Sequence, residues 1–369
     1  MKIAFLEDGA FAYASGSAVA IGGAERDQWL LGAALAHFGW DVTVGVRTGL
    51  NPNERKTIDG VEFVGIGRGQ ILLNWYRFLA FEQPDWLFWE CADYRWGPLV
   101  EIAKLAGVRT IFAAGCDLDV QPRRFTFHRS QYWRLYAWGL SRTDRIFVQH
   151  TGQLSGLCPR WRAKASVLPK VCVFASNDGG APPLRSHSGR AKYVAWVGRL
   201  IELKRPDRLL KIAVAAPDIQ FVVCGGSGQA GSDYEARLVE SLRTAANITY
   251  LGQVPPDKAQ QIIDHAALLL STSDVEGFPN TFVQAWSSGT PIVSLTVDPD
   301  DIIKRFRLGA VSGDSNRAIE DMRALLKSCS TRDEIAKRAR LFVLENYRAS
   351  SVVSLFERAL ASTVHCSVQ

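Results

Sequence analysis

Short, β-rich apolar runs alternate with amphipathic segments along almost the whole chain, and this alternation restricts the fold more than any other feature. Lys2–Leu6, Asp41–Val46, Val61–Ile66, Trp86–Trp89, Arg109–Ala113 and Arg145–Gln149 read as strands. Helical patterns lie between several of them, clearest over Ala24–Phe38. There Leu30, Leu31, Ala34, Leu35 and Phe38 recur on one face, and Gly39 sits where a helix-terminating glycine belongs. Such alternation builds parallel sheets covered by helices on both faces.

A break follows at 176–189, where Ser176-Asn177-Asp178-Gly179-Gly180-Ala181-Pro182-Pro183 opens the richest turn-forming stretch of the chain. Beyond it the alternation restarts. Tyr193–Val197, Gln220–Cys224, Ile248–Leu251, Ala267–Ser271 and Pro291–Leu295 read as strands, with helices at Arg205–Val214, Tyr234–Thr244, Pro256–His265 and Thr281–Ser287. From Asn316 to Leu360 the pattern is helical only. The expected architecture is α/β: two doubly wound, Rossmann-like domains facing across a cleft, with C-terminal helices. The expected boundaries are 1–172, a linker 173–190, 191–345, and a tail 346–369 that returns to the first domain. Ligands of such sheets bind outside the carboxyl ends of the strands.

At 369 residues the chain fits two domains of ordinary size, and 47% hydrophobic with 22% charged residues describes a globular protein. Seven cysteines lie scattered without a C-x-x-C pair, as in a reducing cytoplasm, and suggest neither a disulfide frame nor a zinc site. The run Ile3–Leu6 meets Glu7-Asp8 too soon for a signal peptide, and no apolar run approaches the roughly 18 residues that span a bilayer. The expected location is therefore cytoplasmic, at the inner face of the membrane for a peripheral protein. The net charge of +6 is concentrated: between Gln121 and Lys170 stand ten Lys or Arg against one acid, Asp144. Phe125, Phe127, Tyr132, Trp133, Tyr136, Trp138 and Trp161 interleave with them. A peripheral membrane or anionic-acceptor contact through 121–170 competes with a plain solvated helix face. No nucleic-acid motif accompanies the patch.

Two polar clusters carry the chemistry. Trp196-Val197-Gly198-Arg199-Leu200 leads into Lys204-Arg205-Pro206, a strand ending in glycine followed by two cations five positions apart. Placed just past a strand, Arg199 and Lys204 suit a clamp on two phosphates. Glu276-Gly277-Phe278-Pro279-Asn280 opens a helix that closes at Gly289-Thr290-Pro291. Asn280 is the expected cap, and the amides of 277–282 lie at the helix N-terminus. Cations at one end and a carboxylate with amides at the other suit a ligand that is anionic at one end and hydroxyl-rich at the other. Gly22-Gly23 before the first long helix and Cys224-Gly225-Gly226-Ser227-Gly228 after a strand are weaker signals, compatible with phosphate approach or with ordinary turns. No G-x-G-x-x-G follows the first strand, which disfavours a dinucleotide enzyme.

The Gly-Gly-Ala-Glu loop, Val-Gly-Arg-Leu with Lys204-Arg205-Pro206, and Glu-Gly-Phe-Pro-Asn leading to Ser-Gly-Thr-Pro-Ile-Val together resemble family 4 (group 1) glycosyltransferases. These are retaining enzymes of the two-Rossmann, GT-B type. Leu251-Gly252-Gln253-Val254, Ala266–Ser273 and Thr143–Gln149 add to the resemblance, which is strongest from 193 to 295. It implies a hexosyl transfer from a UDP- or GDP-sugar donor to a glycan or lipid-linked hydroxyl acceptor in bacterial polysaccharide or glycolipid assembly. By it, 1–172 binds acceptor and 191–345 binds the nucleotide sugar. Arg199 and Lys204 would hold the diphosphate, with Gly22 and Gly23 closing on it. Glu276 would contact the donor sugar, helped by amides around Gly277, Phe278, Pro279, Asn280 and Thr281, and Gly252 to Val254 would border the base. No bound metal or other cofactor is implied, because cations and amides neutralise the leaving diphosphate.

The chain departs from the family twice. A second glutamate commonly stands eight positions after the first; here Gln284 takes that place as a ribose contact, at a cost of about 1–2 kcal/mol in lost charge-assisted bonding. A histidine commonly follows the strand at 109–113; here Gly115-Cys116-Asp117-Leu118-Asp119 stands there. Asp117 is a candidate donor or acceptor contact, with a turn-forming aspartate as the alternative. The D-x-D spelled by Asp117 and Asp119 belongs to metal-dependent transferases of another fold and is a single match here. The six histidines show no metal spacing. An epimerase-like enzyme or a non-catalytic nucleotide-sugar-binding protein on the same fold remain the alternatives.

Overall fold

The computed structural model describes residues 1–17, 22–124, 132–172, 184, 186–189, 191–226 and 233–362. Most of the expected linker, together with Phe125, Phe127, Arg129, Ser227 and Gly228, lies outside the described residues. The chain divides into two compact units, Met1–Val171 with Arg348–Gln369, and Cys172–Tyr347.

The first unit is built on strands β1 (Lys2–Leu6), β2 (Asp41–Val46), β3 (Arg55–Ile58), β4 (Val61–Gly65), β5 (Trp86–Glu90), β6 (Arg109–Ala113), β7 (Arg145–Val148) and β8 (Ala165–Val167). Their order is β3-β4-β2-β1-β5-β6-β7-β8, parallel throughout except for the antiparallel β3–β4 hairpin. Connecting helices are α1 (Asp8–Ala14), α2 (Gly23–His37), α3 (Ile71–Glu82), α4 (Trp96–Leu105), α5 (Trp133–Arg142), α6 (Thr151–Gly156) and α7 (Pro159–Arg162). Side chains alternate across a strand, and β1 is apolar on both faces, so it demands cover on each. Ile3 and Phe5 bury against α2 and the last helix of the chain, Ala349–Ala361. Ala4 and Leu6 bury against α3, α4 and α5.

The last helix is fastened by ring contacts and hydrogen bonds. Phe356 packs on Trp40 and Phe147, with centroids 5.6 and 5.2 Å away. Trp40 Nε1 donates to Glu357 (2.9 Å), and Arg145 Nε donates to the Ala359 carbonyl (3.0 Å). On the opposite face α4 and α5 meet at glycines. A Cβ at Gly97 would lie 2.5 Å from the Leu135 carbonyl oxygen, so only glycine permits that approach.

The second unit holds β9 (Tyr193–Val197), β10 (Gln220–Cys224), β11 (Ile248–Tyr250), β12 (Leu268–Ser271), β13 (Ile292–Ser294) and β14 (Gly309–Val311), all parallel in the order β11-β10-β9-β12-β13-β14. Its helices are α8 (Pro206–Ala215), α9 (Asp233–Thr244), α10 (Pro256–His265), α11 (Asn280–Ser287), α12 (Ile302–Phe306), α13 (Ser315–Lys327) and α14 (Cys329–Asn346). Val194 and Trp196 bury beneath α8, α9 and α13, while Ala195 and Leu269 bury beneath α10, α11 and α14. Fully burying a side chain the size of Val194 or Leu269 contributes about 1.5–3 kcal/mol. The strand order reverses between β9 and β12, and in the first unit between β1 and β5. Both are switch points where a doubly wound sheet opens a crevice at its carboxyl edge.

Candidate functional site

At the switch point of the second sheet, the loop after β9 meets the loop after β12. Leu200 N–H donates to the Gly226 carbonyl and Asp274 N–H to the Leu203 carbonyl, each at 3.0 Å, so both neighbouring strand exits hold this loop. Trp196 Nε1 donates to Thr272 Oγ1 (2.9 Å), and the same hydroxyl donates to the Lys204 carbonyl (2.7 Å). Arg205, in the left-handed region at φ 51°, forks onto Asp207 (2.8 Å twice) and reaches Asp274 (2.8 Å). These bonds hold Lys204 in place. Its ammonium pairs with Glu276, and the two side chains are only 27% and 14% exposed. Arg199, on the same loop, is exposed and has no ion-pair partner among the described residues.

Glycines allow the neighbouring strand ends to crowd together. A Cβ at Gly225 would lie 1.8 Å from the Gly198 carbonyl oxygen. Gly225 N–H donates to the Gly252 carbonyl (2.9 Å), and Gly252 adopts φ +67°, which favours glycine. Val254 is half-buried against the core under α11.

The helix after Glu276 begins differently from expectation. Pro279, not Asn280, is the capping residue of α11, and its side chain makes no capping hydrogen bond. The ring fixes φ at −63° and supplies no N–H, which sets the start of the helix at Asn280. The first turn of α11 carries no acidic residue, so its N-terminal dipole is not offset within the helix. Gly277, Phe278 and Pro279 are buried. Phe278 packs on Trp286 and Tyr347, so its backbone, not its ring, faces the loop. Thr281 is half-buried, and Gln284 is 9% exposed, with its carbonyl accepting from Ser287 and Ser288.

The first-unit candidates lie at the carboxyl edge of their own sheet. Gly22 caps α2 in extended conformation, and a Cβ there would fall 1.4 Å from the Glu25 carboxylate; Gly23 opens the helix. Glu7 caps α1 through Gly9 N–H (3.1 Å) and also accepts from Gln28 (3.1 Å). Burial and the nearby Glu25 push its carboxyl up to about 7. The two aspartates after β6 go separate ways. Asp119 is buried and accepts from the Gly115 and Cys116 amides (2.7 and 3.0 Å), burial raising its pKa. Asp117 is 43% exposed at its side chain and pairs with His150 Nε2 (2.8 Å) and Gln153 Nε2 (3.1 Å). His150, the N-cap residue of α6 just past β7, was not legible as a partner, because 33 residues separate it from Asp117. Burial raises the Cys91 and Cys116 thiols far above their ordinary value, which makes them poor nucleophiles. Among the described residues no helix is long and apolar enough to cross a membrane, and no cluster of ligating groups suits a metal.

Comparison with known proteins agrees with the fold. The family described as glycosyl transferases group 1 matches residues 185–342. A D-inositol 3-phosphate glycosyltransferase from Mycolicibacterium gilvum is 30% identical over 287 residues, covering 73% of this chain and 63% of the relative. The chain spans about half the length of other curated relatives it matches. Two solved structures share the fold across 98% of this chain and 100% of their own. They are sucrose-phosphate synthase from Thermosynechococcus elongatus (TM-score 0.73, 16% identity) and Anabaena Alr3699/HepE in complex with UDP-glucose (TM-score 0.71, 15% identity). The match to the group 1 glycosyl transferases thus falls on residues 185–342, which carry the second sheet and its switch point.

Proposed function

We propose that the chain is a retaining glycosyltransferase that moves a hexosyl group from a UDP- or GDP-sugar to a hydroxyl acceptor, in polysaccharide or glycolipid assembly. The observation that carries this reading is the convergence of Lys204, Glu276 and the α11 N-terminus at the second switch point, with Arg199 on the same loop. A diphosphate has cations and helix amides to meet there, and Glu276 suits the hydroxyls of the attached sugar. The UDP-glucose complex of a structural neighbour supports the donor class. In the transfer, the acceptor oxygen bonds to the anomeric carbon as the bond to the β-phosphate oxygen breaks. The departing phosphate takes the acceptor proton, and the new bond forms on the face it leaves. Arg199, Lys204 and the amides neutralise the diphosphate, so the reading requires no resident metal.

Titration of UDP and GDP against wild type and Lys204→Ala tests the donor site, and product analysis tests the chemistry. Loss of the Lys204 cation is expected to cost about 2–4 kcal/mol in transfer. Near-normal transfer by that variant, or an epimerised donor with no transfer, overturns the reading.

The basic aromatic stretch supports contact with an anionic membrane or a lipid-linked acceptor. Arg134, Leu135 and Trp138 are exposed on α5, and Leu72, Leu73 and Tyr76 are exposed on α3, on the same covered face of the first sheet. Flotation with anionic liposomes tests this. Recovery at low salt that is lost at high salt is expected, and equal recovery with neutral liposomes counts against it.

A further inference from the structure

A small pocket, open to solvent and with room for the edge of a ring, lies within the first unit at the carboxyl ends of β5 to β8. Its polar wall is Asp27, Glu90, Gln149 and Lys170; Phe147 and Leu168 are among its apolar walls. Asp27 is out of place by pattern. It stands four residues before Leu31 and eight before Leu35, on the buried face of α2, where an apolar side chain is the rule. Lys170 pairs with one Asp27 oxygen, and the two side chains are only 7% and 12% exposed. The other oxygen, Oδ1, is buried with no hydrogen-bond partner among the described residues. Glu90, at the end of β5, also has no hydrogen bond to its carboxyl among the described residues. Burial, reinforced by Asp27, raises the Glu90 carboxyl well above the usual carboxylate range, against the pull of Lys170.

We propose that this pocket is a subsite for a neutral polyhydroxylated ring, holding two adjacent hydroxyls among Asp27, Glu90 and Lys170. A protonated Glu90 both donates and accepts, the open Asp27 oxygen accepts, and the ammonium has protons to spare, which is the mixed set a vicinal diol needs. Pro169, half-buried on the pocket wall, is the apolar surface open to the C–H face of the ring. Buried polar groups left without partners are unfavourable, so a ligand that completes them gains affinity and selectivity. The assignment of this ring to the acceptor rests on the glycosyltransferase reading.

The test titrates glucose and myo-inositol into the full chain, with saturating UDP, followed by saturation-transfer NMR. Wild type is compared with Glu90→Leu and with the double variant Asp27→Leu/Lys170→Met. The double variant removes an ion pair in favour of apolar groups of similar volume, a change that buried pairs tolerate, so it carries the test if Glu90→Leu fails to fold. Binding of at least one polyol by wild type, weakened tenfold or more in the folded variants with UDP binding retained, is the expected result. No polyol binding to wild type that binds UDP, or equal binding by the variants, overturns the subsite. Polyol binding lost in the variants when wild type fails to bind any nucleotide sustains the pocket and sinks the glycosyltransferase reading instead.

Discussion

The Lys204 ammonium and the Glu276 carboxylate, 72 residues apart in the chain, pair across the switch point of the second sheet. A ligand diphosphate that recruits Lys204 must therefore compete with Glu276. The pair is a resting arrangement in which each charge holds the other at the place where donor phosphate and donor sugar are proposed to meet.

Replacing Glu276 by Gln removes that competition. UDP is expected to bind more tightly, by about fivefold, because a partly exposed ion pair is worth roughly 1 kcal/mol. Transfer is expected to fall by about 10²-fold, because the proposed partner of Glu276 is the sugar, which UDP lacks. Calorimetry with UDP and a transfer assay must therefore move in opposite directions. A parallel loss of both assigns Glu276 to the loop's structure rather than to the donor.

Thr272 is fully buried and links Trp196 Nε1 to the Lys204 carbonyl through one hydroxyl. Thr272→Val keeps the shape and leaves both partners unsatisfied, a loss of about 1–3 kcal/mol. Urea unfolding is expected to show that loss, and UDP affinity is expected to fall with it, while Thr272→Ser retains most of both. Unchanged UDP binding in the valine variant removes Thr272 from the support of Lys204.

Gly225 has no room for a side chain, since a Cβ would press on the Gly198 carbonyl oxygen at 1.8 Å. Gly225→Ala must separate the ends of β9 and β10, a backbone shift that costs about 1–3 kcal/mol or more. The expected outcome is weaker UDP binding and a lower melting temperature, checked by calorimetry and thermal unfolding. A variant of wild-type stability shows that the two strand ends separate freely.

The central strands were legible because both of their faces are apolar, so β1, β2, β6, β9 and β10 match their sequence bounds. β3 was missed, since Arg-Lys-Thr-Ile is exposed and pairs only as an antiparallel edge beyond the Asp59-Gly60 turn. β8 and β14, at three residues each, are too short to show a period. In the site, Lys204 and Glu276 were legible because strand exits and helix starts carry their own signals. Thr272 was not, because its role depends on partners 76 and 68 residues away. The same holds for Asp27 and Lys170, separated by 143 residues. A tertiary pair leaves no local trace.

Glu7 makes stability depend on pH. Burial and the neighbouring Glu25 raise its carboxyl from 4.5 to about 7 in the folded chain. A raised carboxyl pKa means the folded state keeps its proton while the unfolded state releases it. Below about pH 4.5 both states are protonated, and Glu7 contributes no pH dependence. Between 4.5 and 7 the unfolded state gains by ionising, so stability falls as pH rises, and above 7 the loss is constant. Glu7→Gln keeps an oxygen for the Gly9 amide and cannot ionise. The variant is expected to match wild type near pH 4.5 and to exceed it by about 1–2 kcal/mol at pH 8, a figure reduced for partial solvent exposure. Thermal unfolding of both proteins across this range checks the prediction. A stability difference that does not grow between pH 4.5 and 7 shows that Glu7 titrates like an ordinary exposed glutamate.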